Sequence, residues 1–213
     1  DSEGGSTPRL RDRLRWWLIE RYGLDVFERA LDAYLDFSAR RMEAAVRDLP
    51  EGRYTAEDFI SSADENAEAR LACELTIAQG RMKFDFTGTD AQLKEARNIP
   101  HQALLATVYT VAKALLDPGA PANGGAFRVI DIEAPSGCIV QPTPPAPVGA
   151  RSLSCGVLSD VVLAALSQAI PDKGMARCGP HGLLLLSGVD PRNGRYFVNY
   201  ETVSGGLDAL PHR

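Results

Sequence analysis

The chain has 213 residues, of which 45% are hydrophobic and 24% charged, and its formal net charge is −5. That is enough for one or two cores, while the acidic excess excludes a surface built to grip nucleic-acid phosphates, which needs clustered cations. No apolar run approaches the ~20 residues that span a bilayer, and no signal-peptide pattern opens the chain, so a cytoplasmic setting away from membranes is the default expectation.

Residues 1–6 are rich in Gly and Ser and read as a flexible N-terminus, followed by a helical segment over 7–52. Thr7-Pro8 supplies an N-cap and a first-turn proline, and Leu10, Leu14, Trp17 and Leu18 recur at helical spacing up to Tyr22-Gly23. Asp25 with Glu28 reads as a capping box for a second helix of about six turns, marked by apolar residues from Val26 to Leu49 and stopped by Pro50-Glu51-Gly52. Arg9, Arg11, Arg13, Arg15, Arg40 and Arg41 suit an anion, but acids interleave with them, and a solvated face or subunit contact is the favoured reading.

Residues 53–213 read as an α+β portion. The acidic loop around Asp64-Glu65-Asn66 leads into Ala69, Leu71, Cys73, Leu75 and Ile77 in strict alternation. Ala78-Gln79-Gly80 then turns the chain back into Met82–Phe86 as an antiparallel hairpin. Glu57, Asp58, Asp64 and Glu65 could hold a cation, but lack calcium-loop spacing, and an exposed acidic loop is the plainer reading. Pro100 opens a helix with a stripe from Leu104 to Leu115, which Asn98 is placed to cap. Asn123-Gly124-Gly125 is a turn before a strand from Phe127 to Ile132. The glycines do not form a phosphate loop, because no lysine-bearing helix follows them.

Gln141–Pro147 carries four prolines in seven residues, which forbids helix and central strand and predicts an extended strap laid across a surface. Arg151-Ser152 leads into a mostly buried helix over about Ser154–Ala169. Leu183–Leu186 reads as an interior strand, joined to Arg195–Thr202 through the turn Asp190–Gly194. His181, in a glycine-rich loop at a strand end, is a candidate general base or ligand contact, with a structural role as the alternative. Glu201 stands under the same alternatives. Cys73, Cys138, Cys155 and Cys178 are widely spaced, with no C-x-x-C, and are expected as small buried apolar side chains rather than metal or redox groups.

Several stretches occur in an order that resembles the hydantoinase B/oxoprolinase family. They are Phe84-Asp85-Phe86-Thr87-Gly88-Thr89-Asp90, Leu115-Leu116-Asp117-Pro118, Pro121–Gly125, Ala134–Cys138, Pro144–Val148, Asp160–Leu166 and Tyr200–Gly206. The resemblance implies part of a B-type subunit that works with a hydantoinase A-type ATPase subunit, using ATP to open cyclic amides such as hydantoins and 5-oxoproline. A ketone carboxylase subunit of the acetone/acetophenone type, or a non-catalytic assembly module, are the alternatives. Within the matched part, His181 and Glu201 are the candidate catalytic residues, and Asn98 and Arg151 the candidate substrate-binding ones. ATP is expected through the partner. The family's divalent-metal signature lies upstream of the matched part and is not reproduced here, so no metal ligands are assigned and the chain reads as a piece of a larger subunit, in a hetero- or homo-oligomer. The fold expected is α+β, N-terminal helices followed by a mixed, largely antiparallel sheet covered by helices.

Overall fold

The computed structural model describes residues 6–61, 68–175 and 182–203. His181, His212, Cys178, the Asp64-Glu65-Asn66 loop and Gly205-Gly206 lie outside these.

The core is built on the strand that alternates most strictly. Along β2 (Glu68–Ala78), Leu71, Cys73, Leu75 and Ile77 are buried on one face. The turn at Gln79 and Gly80, both at positive φ (52° and 73°), returns the chain as β3 (Arg81–Asp85). Two successive left-handed residues match the right-handed twist of the strands they join, so the register is tight, with Ile77 opposite Met82 and Leu75 opposite Phe84. β1 (Gly52–Ser61) pairs antiparallel with β2 on its other side, and β4 (Ile130–Glu133) pairs parallel with β3, giving the order β1-β2-β3-β4.

Helices cover the apolar face, as the sequence reading expects. α4 (Arg151–Ala169) lies on β1 and β2, the C-terminal half of α2 (Leu24–Arg47) reaches β3, and α3 (His101–Leu116) packs against both α2 and α4. α4 is, by length and composition, apolar enough to cross a bilayer. Its Leu158, Val161, Val162, Ala165 and Leu166 are instead buried in the core, which accounts for that composition. The opposite face of the sheet is charged, with ion pairs across strands between Arg53 and Glu74, Arg70 and Glu57, Arg81 and Asp131, and Lys83 and Glu133.

Several elements differ from the sequence reading. β1 escapes it because Glu57, Asp58 and Phe59 are all exposed and break the alternation. β4 is shorter than Phe127–Ile132: Phe127 lies in a turn, its ring stacked on Tyr109 at 4.2 Å. The parallel β3–β4 pair requires a crossover, in which α3 lies. Asp25 does not cap α2, since Gly23 occupies the N-cap without a side-chain bond. β5 (Gly182–Val189) and β6 (Tyr196–Val203) form the expected hairpin, but Leu184, Leu185 and Leu186 are exposed, so the strand is not interior within this chain.

α1 (Ser6–Tyr22) meets α2 at Gly23, and α2 buries only Ser38, Met42 and Val46, at i, i+4 and i+8. The turn after α3 fixes that half of α2. Asn123 Oδ1 accepts from the Gly125 and Ala126 amides, its Nδ2 donates to Ser38 Oγ, and Arg41 forks onto Asp117 at 2.7 Å through both nitrogens. A Cβ on Gly125 would stand 2.0 Å from the Leu35 carbonyl oxygen, whereas one on Gly124 meets nothing within 4 Å. Gly125→Ala is therefore expected to cost about 3 kcal/mol or more in chemical denaturation, by forcing the turn off α2, and Gly124→Ala less than ~0.5 kcal/mol. Equal effects would show that the close approach is not what fixes this turn.

Candidate functional site

The Phe84–Asp90 stretch is held by its own side chains. Asp85 Oδ1 accepts from the Thr87 amide, and the hydrogen bonds from Thr87 hold this carboxyl below the usual carboxylate range. Thr89 is buried, its Oγ1 accepting from Ala72 N and donating to Ala72 O, both at 3.1 Å, as a strand neighbour would. Asp90 Oδ2 takes the Arg70 amide at 2.8 Å. Gly88, at φ +95°, presents its carbonyl to Arg70 Nη1. The motif thus uses its polar groups to turn the chain off β3 and pin it to β2.

Beside this loop the outer sheet face holds a cleft of about 570 Å³, lined by Thr55, Glu57, Arg70, Glu74 and Thr87 among others. Arg70 Nε donates to Glu57 Oε2 at 2.8 Å, and both side chains are about half exposed. A guanidinium donor beside a carboxylate acceptor is the pattern that matches the adjacent C=O and N–H of an amide edge.

A second locus forms where the proline-rich strap meets α4. Prolines leave that strap short of N–H donors, so it cannot be held as a strand, and two amide side chains anchor it instead. Gln92 accepts from Thr143 N at 2.7 Å and donates to Thr143 O at 3.2 Å. Asn98, with no exposed surface, accepts from Leu93 N at 2.7 Å and donates to the carbonyls of Leu93, Glu95 and Pro147. Asn98 therefore does not cap α3, whose N-cap is Pro100 without a side-chain bond. Gln92 was not among the sequence candidates; the signal available was an amide residue shortly before a run that lacks donors.

Arg151 stands exposed at the first turn of α4, three residues from the Val148 carbonyl it approaches, so Asn98 and Arg151 share the end of the strap. Glu201 is exposed on β6, opposite Leu184 and accepting from Asn199 Nδ2, and belongs to the separate two-stranded sheet. His181 lies outside the described residues. Among the described residues, no group of three or more His, Cys, Asp or Glu side chains converges as a metal site would require, so they do not fit a resident metal. Burial pushes the Cys73 thiol up to about 12, aided by Asp85 and Glu74, and burial also raises Cys155 against the opposing pull of Thr107 and Arg151. Neither is a thiolate nucleophile near neutral pH.

A family model described as hydantoinase B/oxoprolinase matches residues 9–213. A protein of Pseudomonas sp. (strain NS671), described as the B-type subunit of a D-/L-hydantoinase, is 32% identical, over 91% of this chain and 36% of its own length. The caprolactamase beta chain of Pseudomonas jessenii is 26% identical over 83% of this chain and 31% of its own, and 5-oxoprolinase 1 of Arabidopsis thaliana 27% identical over 91% and 15%. The chain thus spans about a third or less of the curated relatives it matches. The crystal structure of the ATP-dependent caprolactamase from Pseudomonas jessenii superposes with a TM-score of 0.79 at 24% identity, over 92% of this chain and 34% of that one. Nucleotide-free acetone carboxylase gives 0.75 at 14% identity, over 88% and 27%. These likenesses show a shared fold.

The two polar residues at the strap make opposite predictions. Asn98→Ala empties a fully buried site and strands the part-buried Leu93 amide and Pro147 carbonyl, and is expected to cost about 3 kcal/mol in urea unfolding, whereas Arg151→Ala is expected within ~0.5 kcal/mol of the parent. A loss below ~1 kcal/mol for Asn98→Ala would contradict its anchoring role.

Proposed function

The chain belongs to the hydantoinase B/oxoprolinase family, and from that premise we propose that it forms part of the B-type subunit of an ATP-dependent hydrolase of cyclic amides. The observation that carries this reading is the match over nearly the whole chain, joined by relatives named for the hydrolysis of hydantoin, 5-oxoproline and caprolactam rings. A ring amide is a poor electrophile; phosphoryl transfer from ATP to its oxygen releases ADP and activates the ring carbon. Water adds there, the C–N bond breaks as the ring nitrogen leaves with a proton, and the acyl phosphate that remains is hydrolysed to carboxylate and phosphate. The nucleotide site is assigned to an A-type partner subunit.

In this reading the chain supplies framework and contacts. Arg151 is assigned a contact to substrate, and Asn98 positions it by fixing the strap from which α4 starts. His181 and Glu201 are assigned proton movement; Glu201 pairs with Leu184, three residues along the chain from His181. The Arg70–Glu57 cleft offers a donor and an acceptor side by side to an amide edge.

The assembled enzyme, containing this chain within its B-type subunit, is expected to hydrolyse ATP at least ~10-fold faster with a hydantoin, 5-oxoproline or a lactam than without, and to release the ring-opened product. Stimulation by small ketones with bicarbonate, and by no cyclic amide, would overturn this reading in favour of the carboxylase alternative.

A further inference from the structure

α1 and the first half of α2 form an apolar arm that the core leaves uncovered. Of the described elements, only α2 makes more than marginal contact with α1, and the buried residues of α2 begin at Ser38. Leu18, Tyr22, Val26, Ala30 and Tyr34 follow one another at every fourth position and line a groove of about 450 Å³ across the Gly23 hinge. Nine large apolar side chains between Leu14 and Phe37 are 45% to 64% exposed, led by Trp16. Of these, Tyr22, Val26, Leu31 and Tyr34 line the groove and form the apolar centre that a partner would cover.

The arm is also electrically divided. α1 holds five arginines against two acids, a net charge of +3, while residues 24–37 hold four acids against Arg29, a net charge of −3. Two arms laid antiparallel about a two-fold axis near Gly23 set the positive half of each against the negative half of the other. That arrangement is self-complementary, as an isologous interface must be. A partner of uniform charge would be attracted to one half and repelled by the other.

We propose that this arm is a homodimerisation surface, occupied by the same arm of a second copy of the chain. The tryptophans report on it directly, because Trp16 and Trp17 are the only two in the chain and both lie on the arm. Light scattering of the full chain is expected to give twice the monomer mass at about 10 μM, with tryptophan emission shifting to the blue as concentration rises through the dimerisation range. Leu31→Glu is expected to weaken association at least ~50-fold while far-ultraviolet circular dichroism stays unchanged. Arg15→Glu is expected to weaken it ~10-fold and Asp32→Arg in the same chain to restore it, a rescue that a merely structural lesion would not show. A monomer with water-exposed tryptophan emission at 50 μM overturns the proposal, as does a dimer indifferent to Leu31→Glu. A monomer whose arm becomes covered only when a different protein is added overturns it in favour of a heterologous partner.

Discussion

The arrangement beneath α4 depends on how a donor-poor segment is held. Four prolines between Gln141 and Pro147 remove the N–H groups with which a strand or helix would be tied down. Gln92 and Asn98 take over that task from the segment just before α3, one clamping Thr143 and the other reaching Pro147. Each amide offers both a donor and an acceptor, so each mimics a peptide group of a neighbouring strand. From the anchored end of the strap α4 starts, and on α4 rest the inner faces of β1 and β2. Replacing Asn98 leaves part-buried backbone groups without partners, which costs more than the net worth of the bonds themselves, whereas the Thr143 groups held by Gln92 are exposed and can turn to water.

The same use of polar side chains runs through the Phe84–Asp90 stretch and the Asn123–Gly125 turn. Asp85, Thr89, Asp90 and Asn123 are polar residues of the kind that invite a chemical reading, and each is engaged with backbone. What these motifs preserve is a path of the chain. Among the residues weighed for chemistry, the Arg70–Glu57 pair in its cleft, Arg151 at the start of α4 and Glu201 on the hairpin keep exposed side chains.

Much of the fold was legible because burial on one face imposes alternation. β2 and β3 follow directly from Ala69–Ile77 and Met82–Phe86, and α3 and α4 from their apolar stripes. β1 was illegible because an edge strand with Glu57, Asp58 and Phe59 exposed carries no such pattern. β4 was overextended because Phe127 is partly covered by stacking on Tyr109 rather than by strand pairing. Asn98 was legible as important and misread as a cap, since a buried side chain that bridges residues 49 positions apart leaves no local signature. The charged cleft was missed because its members come from β1, β2 and the turn after β3, and only the register of β1 on β2 brings Glu57 beside Arg70.

Native-state hydrogen exchange tests the anchoring account most directly, because the Leu93 and Thr143 amides are bonded to side chains alone and belong to no helix or strand. The account predicts that the Leu93 amide exchanges as slowly as the Leu75 and Ile77 amides of β2, and that the Thr143 amide, whose bond is exposed, exchanges faster than these but well below the rate of an open loop. Exchange of Leu93 or Thr143 at the rate of an open loop, while β2 stays protected, would contradict it.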